Sequence, residues 1–354
     1  MKEAKNYKKL KNKNVQCQLC KRYCIIPPNQ TGVCKVRKNI NGILYSLIYE
    51  KAIAQNIDPI EKKPFYNFLP GSKVFSFATV GCNFKCLHCQ NWDISQPQEI
   101  IGKKLTTSEI LNFSLKNKVE GIAYTYTEPT IFFEYAYDTA KKTYKKNLFN
   151  VFVTNGYMSN ETIKKMNFID ASRIDLKFFN SESYNRISGG IKLTNVLDTI
   201  QQINKIQHIE LITLLIPSVN DSEEEITALS KWVKKTNKNI PLHFTAYYPA
   251  HKMFHPPTPL STLQKARKIA LEEGLNYVYI GNIQGDEGEN TYCPNCGECV
   301  IKRYGTELLK KSYQILDNGY ASCLKCGADL NIITNLERYR RGKKDGKRSG
   351  SLLL

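Results

Sequence analysis

No stretch of this 354-residue chain stays apolar for long. The longest such run, Leu211-Ile-Thr-Leu-Leu-Ile216, falls far short of the roughly 20 residues a membrane span needs, and reads as a buried strand. Nothing at the amino end resembles a secretory signal. These two absences point to the cytoplasm. Histidine is sparse as well, and His243, His251 and His255 have no metal-like spacing. Acidic residues are the third shortage: 32 Asp and Glu face 51 Lys and Arg, for a net charge of +19. Such an excess ordinarily suggests nucleic acid or another anionic partner. Its distribution weakens that reading, because residues 1–16 carry six Lys and one acid, and residues 335–354 carry seven Lys or Arg and two acids. More than half of the excess therefore sits on tails of the kind that are usually solvated and disordered.

Cysteine, by contrast, is plentiful. Twelve cysteines in a reducing compartment are better read as metal or cluster ligands than as disulfides, and they fall into groups of four, three and five. The middle group, Cys82, Cys86 and Cys89, forms a Cys-x3-Cys-x2-Cys loop just after the strand-like Lys73-Val-Phe-Ser-Phe-Ala-Thr-Val80. A [4Fe-4S] cube normally takes four cysteines, so a loop offering three leaves one iron open for chemistry. A structural zinc knuckle fits less well, since it wants four protein ligands and no fourth lies nearby. Near the carboxyl end, Cys293-Pro-Asn-Cys296-Gly and Cys323-Leu-Lys-Cys326-Gly are paired knuckles that make a tetrahedral four-cysteine site. Structural zinc leads there, with rubredoxin-like iron as the rival. Cys299 is left without a role. At the amino end, Cys17, Cys20, Cys24 and Cys34 offer four thiolates for zinc or for an auxiliary iron-sulfur cluster, with a spacing nearer to that of zinc sites.

The chain divides accordingly. Residues 1–70 form a Cys-rich leader closing on Asp58-Pro-Ile-Glu-Lys-Lys-Pro-Phe-Tyr-Asn-Phe-Leu-Pro-Gly71, which its prolines and glycine mark as a connector. Residues 71–285 alternate β-rich runs (73–80, 121–126, 149–154, 173–178, 209–216 and 241–247, with 277–281 as an extra) with helical ones, the pattern of a parallel α/β sheet. Thr106-x-x-Glu109 and Ser222-x-x-Glu225 have the form of capping boxes, and Ser261 and Thr262 are candidates to cap the stretch ending at Gly274. Six such repeats fit an open (β/α)6 partial TIM barrel, with its site at the carboxyl ends of the strands. Residues 286–334 make a zinc-ribbon-like module, and 335–354 a basic tail expected to be disordered.

The loop Gly81-Cys82-Asn83-Phe84-Lys85-Cys86-Leu87-His88-Cys89-Gln90-Asn91-Trp92 resembles that of the radical SAM superfamily. The resemblance implies a [4Fe-4S] cluster whose open iron chelates S-adenosylmethionine, one-electron cleavage to methionine and a 5′-deoxyadenosyl radical, and hydrogen abstraction from a substrate. It also implies contacts. Tyr126-Thr127-Glu128-Pro129 stands where such enzymes have Gly-Gly-Glu-Pro, so Thr127 and Glu128 would receive the methionyl ammonium. Asp175-x-Lys177 matches an Asp-x-Lys of pyruvate formate-lyase activating enzymes that contacts ribose and carboxylate, a structural ion pair being the alternative. Thr154 and Asn155 are weaker candidates, His88 could stack on adenine, and Tyr277–Asn282 could line it.

With Asp58-Pro-Ile-Glu-Lys-Lys-Pro64 and Asn290-Thr-Tyr-Cys-Pro-Asn-Cys296, the pattern resembles the AmmeMemoRadiSam-system radical SAM enzymes, which are similar to glycyl-radical activases. That implies a partner protein or peptide as substrate, association with Ammecr-type and Memo-type proteins, and a low-potential electron donor, an acidic flavodoxin or ferredoxin. Two other readings stand beside it. One is a radical SAM enzyme that modifies RNA; the other is a non-enzymatic metal-binding scaffold.

Overall fold

The computed structural model describes residues 1–344. Its centre is an eight-stranded sheet of β1 (Ala54–Pro59), β2 (Lys73–Ala78), β3 (Gly121–Tyr124), β4 (Phe149–Thr154), β5 (Ala171–Asp175), β6 (His208–Leu215), β7 (Leu242–Ala246) and β8 (Val278–Gly281). Strands β2 to β8 lie side by side in chain order and run parallel. β1 pairs antiparallel with β2. β1 and β8 are the two edges, so the parallel sheet is barrel-like but not closed. The expected extra strand at 277–281 is a full member as β8, which makes seven parallel strands instead of six. β1 overlaps the connector that prolines mark at 58–71; it covers the outer edge of β2, which would otherwise leave unpaired backbone groups.

Between the strands, the helix Thr107–Lys116 begins with the expected reciprocal capping box of Thr106 and Glu109. Ser222 caps Glu223–Asn237 by accepting from the Glu225 amide. Leu260–Glu272 departs from expectation. It starts after Pro259 with no side-chain cap, so neither Ser261 nor Thr262 plays that part; both lie inside the first turn.

Side chains alternate along a strand, and one face of the sheet lines the barrel. At the amino-terminal ends of the strands Val74, Ala123, Phe149, Val151 and Ala171 cluster with Phe65 and Phe68 of the connector and with Ile333 and Tyr339 from the far end of the chain. This plug fills one end of the barrel. The carboxyl ends of the strands remain free to form a site.

After β8 come two small antiparallel sheets, Thr291–Tyr292 with Cys299–Tyr304 and Glu307–Lys311, and Tyr313–Ile315 with Tyr320–Cys323 and Asp329–Ile333. They share a separate apolar cluster around Val300, Ile301, Leu330 and Ile332. The tail expected to be disordered from residue 335 is instead helical over Leu336–Lys344; residues 345–354 lie outside the described residues. Charge counting missed the reason. Arg340 makes two hydrogen bonds to the Asp170 carboxylate, at 2.8 and 2.7 Å, in a buried ion pair, and its guanidinium lies 3.8 Å from the Tyr144 ring centre. Removing one partner of a buried pair leaves the other charge uncompensated. Arg340→Ala is therefore expected to cost about 3 kcal/mol, read as a lower denaturant midpoint, with proteolysis beginning in the terminal helix. An unchanged midpoint would mean the helix is not docked in solution.

No helix among the described residues is long and apolar enough to cross a membrane.

Candidate active site

The Cys-triplet loop leaves β2 at its carboxyl end and folds over the open end of the barrel. Backbone bonds from Lys85 to Ser188 and from Leu87 to Ile187 tie it to the helix Ser181–Ser188. Phe84 anchors it between the Tyr157 and Tyr184 rings. The sulfurs meet donors: the Phe84 amide lies 3.4 Å from Cys82 Sγ, Asn155 Nδ2 lies 3.8 Å from it, and Ser95 Oγ lies 3.3 Å from Cys89 Sγ. Burial pushes the Cys82 and Cys86 thiols up in pKa.

Beneath the loop is a cavity of about 350 Å³. It brings together all nine residues expected at the cluster and cofactor: Cys82, Cys86 and Cys89 with Thr127, Glu128, Thr154, Asn155, Asp175 and Lys177. Ile212, Leu214 and Val153 supply apolar wall. The Glu128 carboxylate is less free than the motif implies. Its Oε1 accepts from the Thr130 amide (2.9 Å), Thr130 Oγ1 (2.5 Å) and Thr154 Oγ1 (2.7 Å), and its Oε2 from the Asn155 amide (2.7 Å). Burial raises its pKa against the pull of these donors. Glu128 thus ties the ends of β3 and β4 together, and Oε2 is the oxygen with acceptor capacity left. Asn155 extends the tie, donating from Nδ2 to Asn83 Oδ1 at 2.8 Å and so bracing the cluster loop.

Asp175 and Lys177 lie on one face, as alternation requires, and are ion-paired at 2.8 Å. Asp175 also bonds Arg173, a residue that sequence reasoning passed over. Burial lowers the Arg173 pKa to about 9. Its position two residues before Asp175 was the available signal. A second group at the rim was also missed: Asp58, Lys63 and Tyr126. Lys63 Nζ lies 2.6 Å from Asp58 and 4.5 Å from the Tyr126 ring centre, and the Tyr126 hydroxyl donates to Asp58 at 2.8 Å. Burial works to raise the Asp58 pKa, but Lys63 and Lys62 override it and hold the carboxyl below its usual range. Tyr126 has φ +63°, the left-handed region that glycine favours. A tyrosine stands there because its hydroxyl and its carbonyl, which accepts from Asn91 at 2.8 Å, fasten it on both sides.

His88 lines the cavity, packs edge-on against Phe178, and is held neutral down to about pH 3 by burial and by Lys177. The segment 277–282 behaves differently from expectation. Tyr277 and Tyr279 point into the plugged end, bonding Asn331 and Asn67, and Asn282 alone of that segment lines the cavity. In the turn after β6, Asn220 donates to Lys177 O and Leu214 O.

Residues 77–229 match the radical SAM superfamily model. The chain is also 42% identical over 338 residues to the uncharacterized protein MJ0808 of Methanocaldococcus jannaschii, a match covering 94% of this chain and all of that one. Residues 77–229 thus form a radical SAM domain. Radical SAM enzymes use a [4Fe-4S] cluster and S-adenosylmethionine. A second relative from the same organism, MJ1632, is provisionally named a glycyl-radical enzyme activating enzyme; it is 27% identical over 222 residues, covering 60% of this chain and 80% of that one. Among solved structures, a domain of pyruvate-formate lyase-activating enzyme from Bacteroides vulgatus is similar with a TM-score of 0.40 and 20% identity, over 46% of this chain and 99% of that one.

The carboxyl-terminal cysteines form the tightest group. Cys293, Cys296, Cys323 and Cys326 have all four sulfurs within 4.8 Å of one another, with Cys293 to Cys326 at 3.6 Å and Cys296 to Cys323 at 3.7 Å. Thiolates about 2.3 Å from a tetrahedral metal lie about 3.8 Å apart, so the set has the size of a single-ion site. The loop triplet shows no such closure, which suits a cube in which each thiolate takes a different iron.

Proposed function

We propose that the chain reductively cleaves S-adenosylmethionine and directs the resulting 5′-deoxyadenosyl radical at a partner protein or peptide, in the manner of a glycyl-radical activase. The observation that carries this reading is the three-thiol loop without a fourth ligand, set over a cavity that holds a paired Asp and Lys and a buried Glu. Cys82, Cys86 and Cys89 would hold the [4Fe-4S] cluster, which when bound supplies one electron and an open iron. The chain's own residues do the rest. Oε2 of Glu128 and nearby carbonyls would accept the methionyl ammonium, Lys177 would meet the carboxylate, and Asp175 the ribose hydroxyls. For the last two, the ion pair between them opens as the ligand takes its place. The apolar wall of Val153, Ile212 and Leu214, with neutral His88, suits the uncharged adenine and keeps water from a radical.

The similarity to MJ1632 supports a protein substrate and an electron donor, for which a flavodoxin or ferredoxin is our choice. We extend the reading to membership of the AmmeMemoRadiSam system, with Ammecr-type and Memo-type partners, and to a cytoplasmic location, on the use of twelve cysteines as free thiols. At the carboxyl end Cys293, Cys296, Cys323 and Cys326 would hold zinc. A protein partner is preferred to RNA because part of the basic tail is spent on internal contacts, Arg340 being buried against Asp170.

The test is 5′-deoxyadenosine formation by anaerobically reconstituted, reduced protein with S-adenosylmethionine, followed by electron paramagnetic resonance of each candidate partner after turnover. Product together with a glycyl radical is expected. Product without a radical in any partner sinks the activase reading, and no product from cluster-loaded protein sinks the enzymatic one.

A further inference from the structure

The amino-terminal cysteines contradict their spacing. Cys17, Cys20, Cys24 and Cys34 all line one narrow, apolar cavity, yet they do not close to single-ion distance as the carboxyl-terminal set does. Within one chain there are thus three cysteine sets, one tight and two wide, and the wide set in the loop is the one that the family uses for a cube.

Two further observations concern donors. Arg37 and Asn83 line the same cavity, each is about 1% exposed, and each has a buried nitrogen with no partner, Nε in Arg37 and Nδ2 in Asn83. Arg37 otherwise bonds both Glu134 carboxylate oxygens at 2.8 Å and the Ile131 carbonyl at 3.3 Å. Leaving buried N–H groups unpaired is costly. Nitrogen donors in an apolar cavity rimmed by four thiols suit an anionic, thiolate-bound group whose sulfurs accept N–H···S bonds, and the wide set of the four sulfurs suits a sulfide-bridged cube better than a lone ion.

The cavity also adjoins the first cluster site. Asn83 follows Cys82 directly and is braced by Asn155. Gly81, with φ +98°, comes so close to the amino-terminal loop that a Cβ there would lie 2.5 Å from Val36 and 3.1 Å from the Cys34 carbonyl. On the other side, Cys24 and Arg22 also line a surface hollow with Lys21 and Lys192, beside the exposed Ile25 and Val33. That is a basic, partly apolar surface over the outer thiol.

We propose that Cys17, Cys20, Cys24 and Cys34 hold a second [4Fe-4S] cluster that relays electrons from a flavodoxin-type or ferredoxin-type donor to the cluster of the Cys82 loop. Each relayed electron reduces the second cluster from the 2+ to the 1+ state at the expense of the donor. Passing it on returns that cluster to 2+ and takes the first from 2+ to 1+; no bond or proton moves. The occupancy of the site stands on its own geometry, whereas the relay rests on the radical SAM reading.

The experiment uses full-length protein reconstituted anaerobically. A Cys82→Ala, Cys86→Ala, Cys89→Ala variant is expected to keep about four iron and four acid-labile sulfide per chain, with a reduced-cluster resonance that S-adenosylmethionine leaves unchanged because no iron is open. Sulfide is the deciding count, since a mononuclear iron at the carboxyl end contributes none. Zinc in place of iron, or no sulfide, overturns the second cluster. For the relay, the Cys20→Ser variant is expected to lose reduction of the first cluster by reduced flavodoxin while dithionite still reduces it; unchanged reduction by flavodoxin overturns the relay. Failure of the radical SAM reading looks different. The wild type would then lack any signal that responds to S-adenosylmethionine while the triple variant kept its sulfide.

Discussion

Cys86→Ala is expected to reduce 5′-deoxyadenosine formation to the background of protein-free controls. A cube ligated by three thiolates that loses one is left with two irons lacking protein ligands, and the S-adenosylmethionine site, which depends on a single open iron, is lost with it. Cys86 lies in the main core and is almost fully buried, so alanine is accommodated without a new charge or bulk. The carboxyl-terminal cysteines belong to a different apolar cluster, and the variant should keep one tetrahedral ion there. Chromatographic assay of the nucleoside beside metal analysis of the same sample checks both halves. Nucleoside at wild-type rate from the variant would remove the Cys82 loop from the mechanism.

The second large effect lies at the plugged end of the barrel. Glu210 on β6 is completely buried and accepts from the amides of Tyr66 (2.9 Å) and Asn67 (2.8 Å), from His208 Nε2 at 3.1 Å and from His243 Nε2 at 2.8 Å. Glu210→Ala strands these donors in an apolar layer and should cost about 3 to 5 kcal/mol, lowering Tm by roughly 10 °C. The pH dependence follows from the same contacts. Burial works to raise the Glu210 pKa, but the two histidines outweigh it and bring the value down to about 2. A carboxyl depressed in the folded state adds stability above its unfolded pKa and loses it as pH falls through the folded value. The wild type should thus shed about 3 kcal/mol between pH 4.5 and 2 that the variant never had. Parallel acid-unfolding curves for the two proteins would dispose of this account.

Both effects trace back to residues with different visibility in the sequence. Cys86 was plain, because ligand chemistry needs one residue type at short spacing, and local spacing is what a sequence displays. Glu210 was invisible. An acid in a β-rich run reads as a surface residue, and its partners come from the connector at 66–67 and from strand β7. The same limit explains Arg173 and Lys63, which reach the cavity from two separate segments, and Asp58, which is bonded to Lys63 at its rim. It explains Arg340 too, which counts as one more tail charge until Asp170 is brought beside it.

The sequence alone determined the alternation of strands and helices, the capping of Thr107–Lys116, and the grouping of the cysteines, since each depends on neighbours a few residues apart. Tertiary structure decided that a seventh parallel strand completes the sheet, that Glu128 is a tie between strand ends, and that Asp175 and Lys177 meet each other. It also decided which cysteine sets are tight and which are wide, because the separation of four sulfurs is fixed by how loops are held against the barrel and not by the count of residues between them.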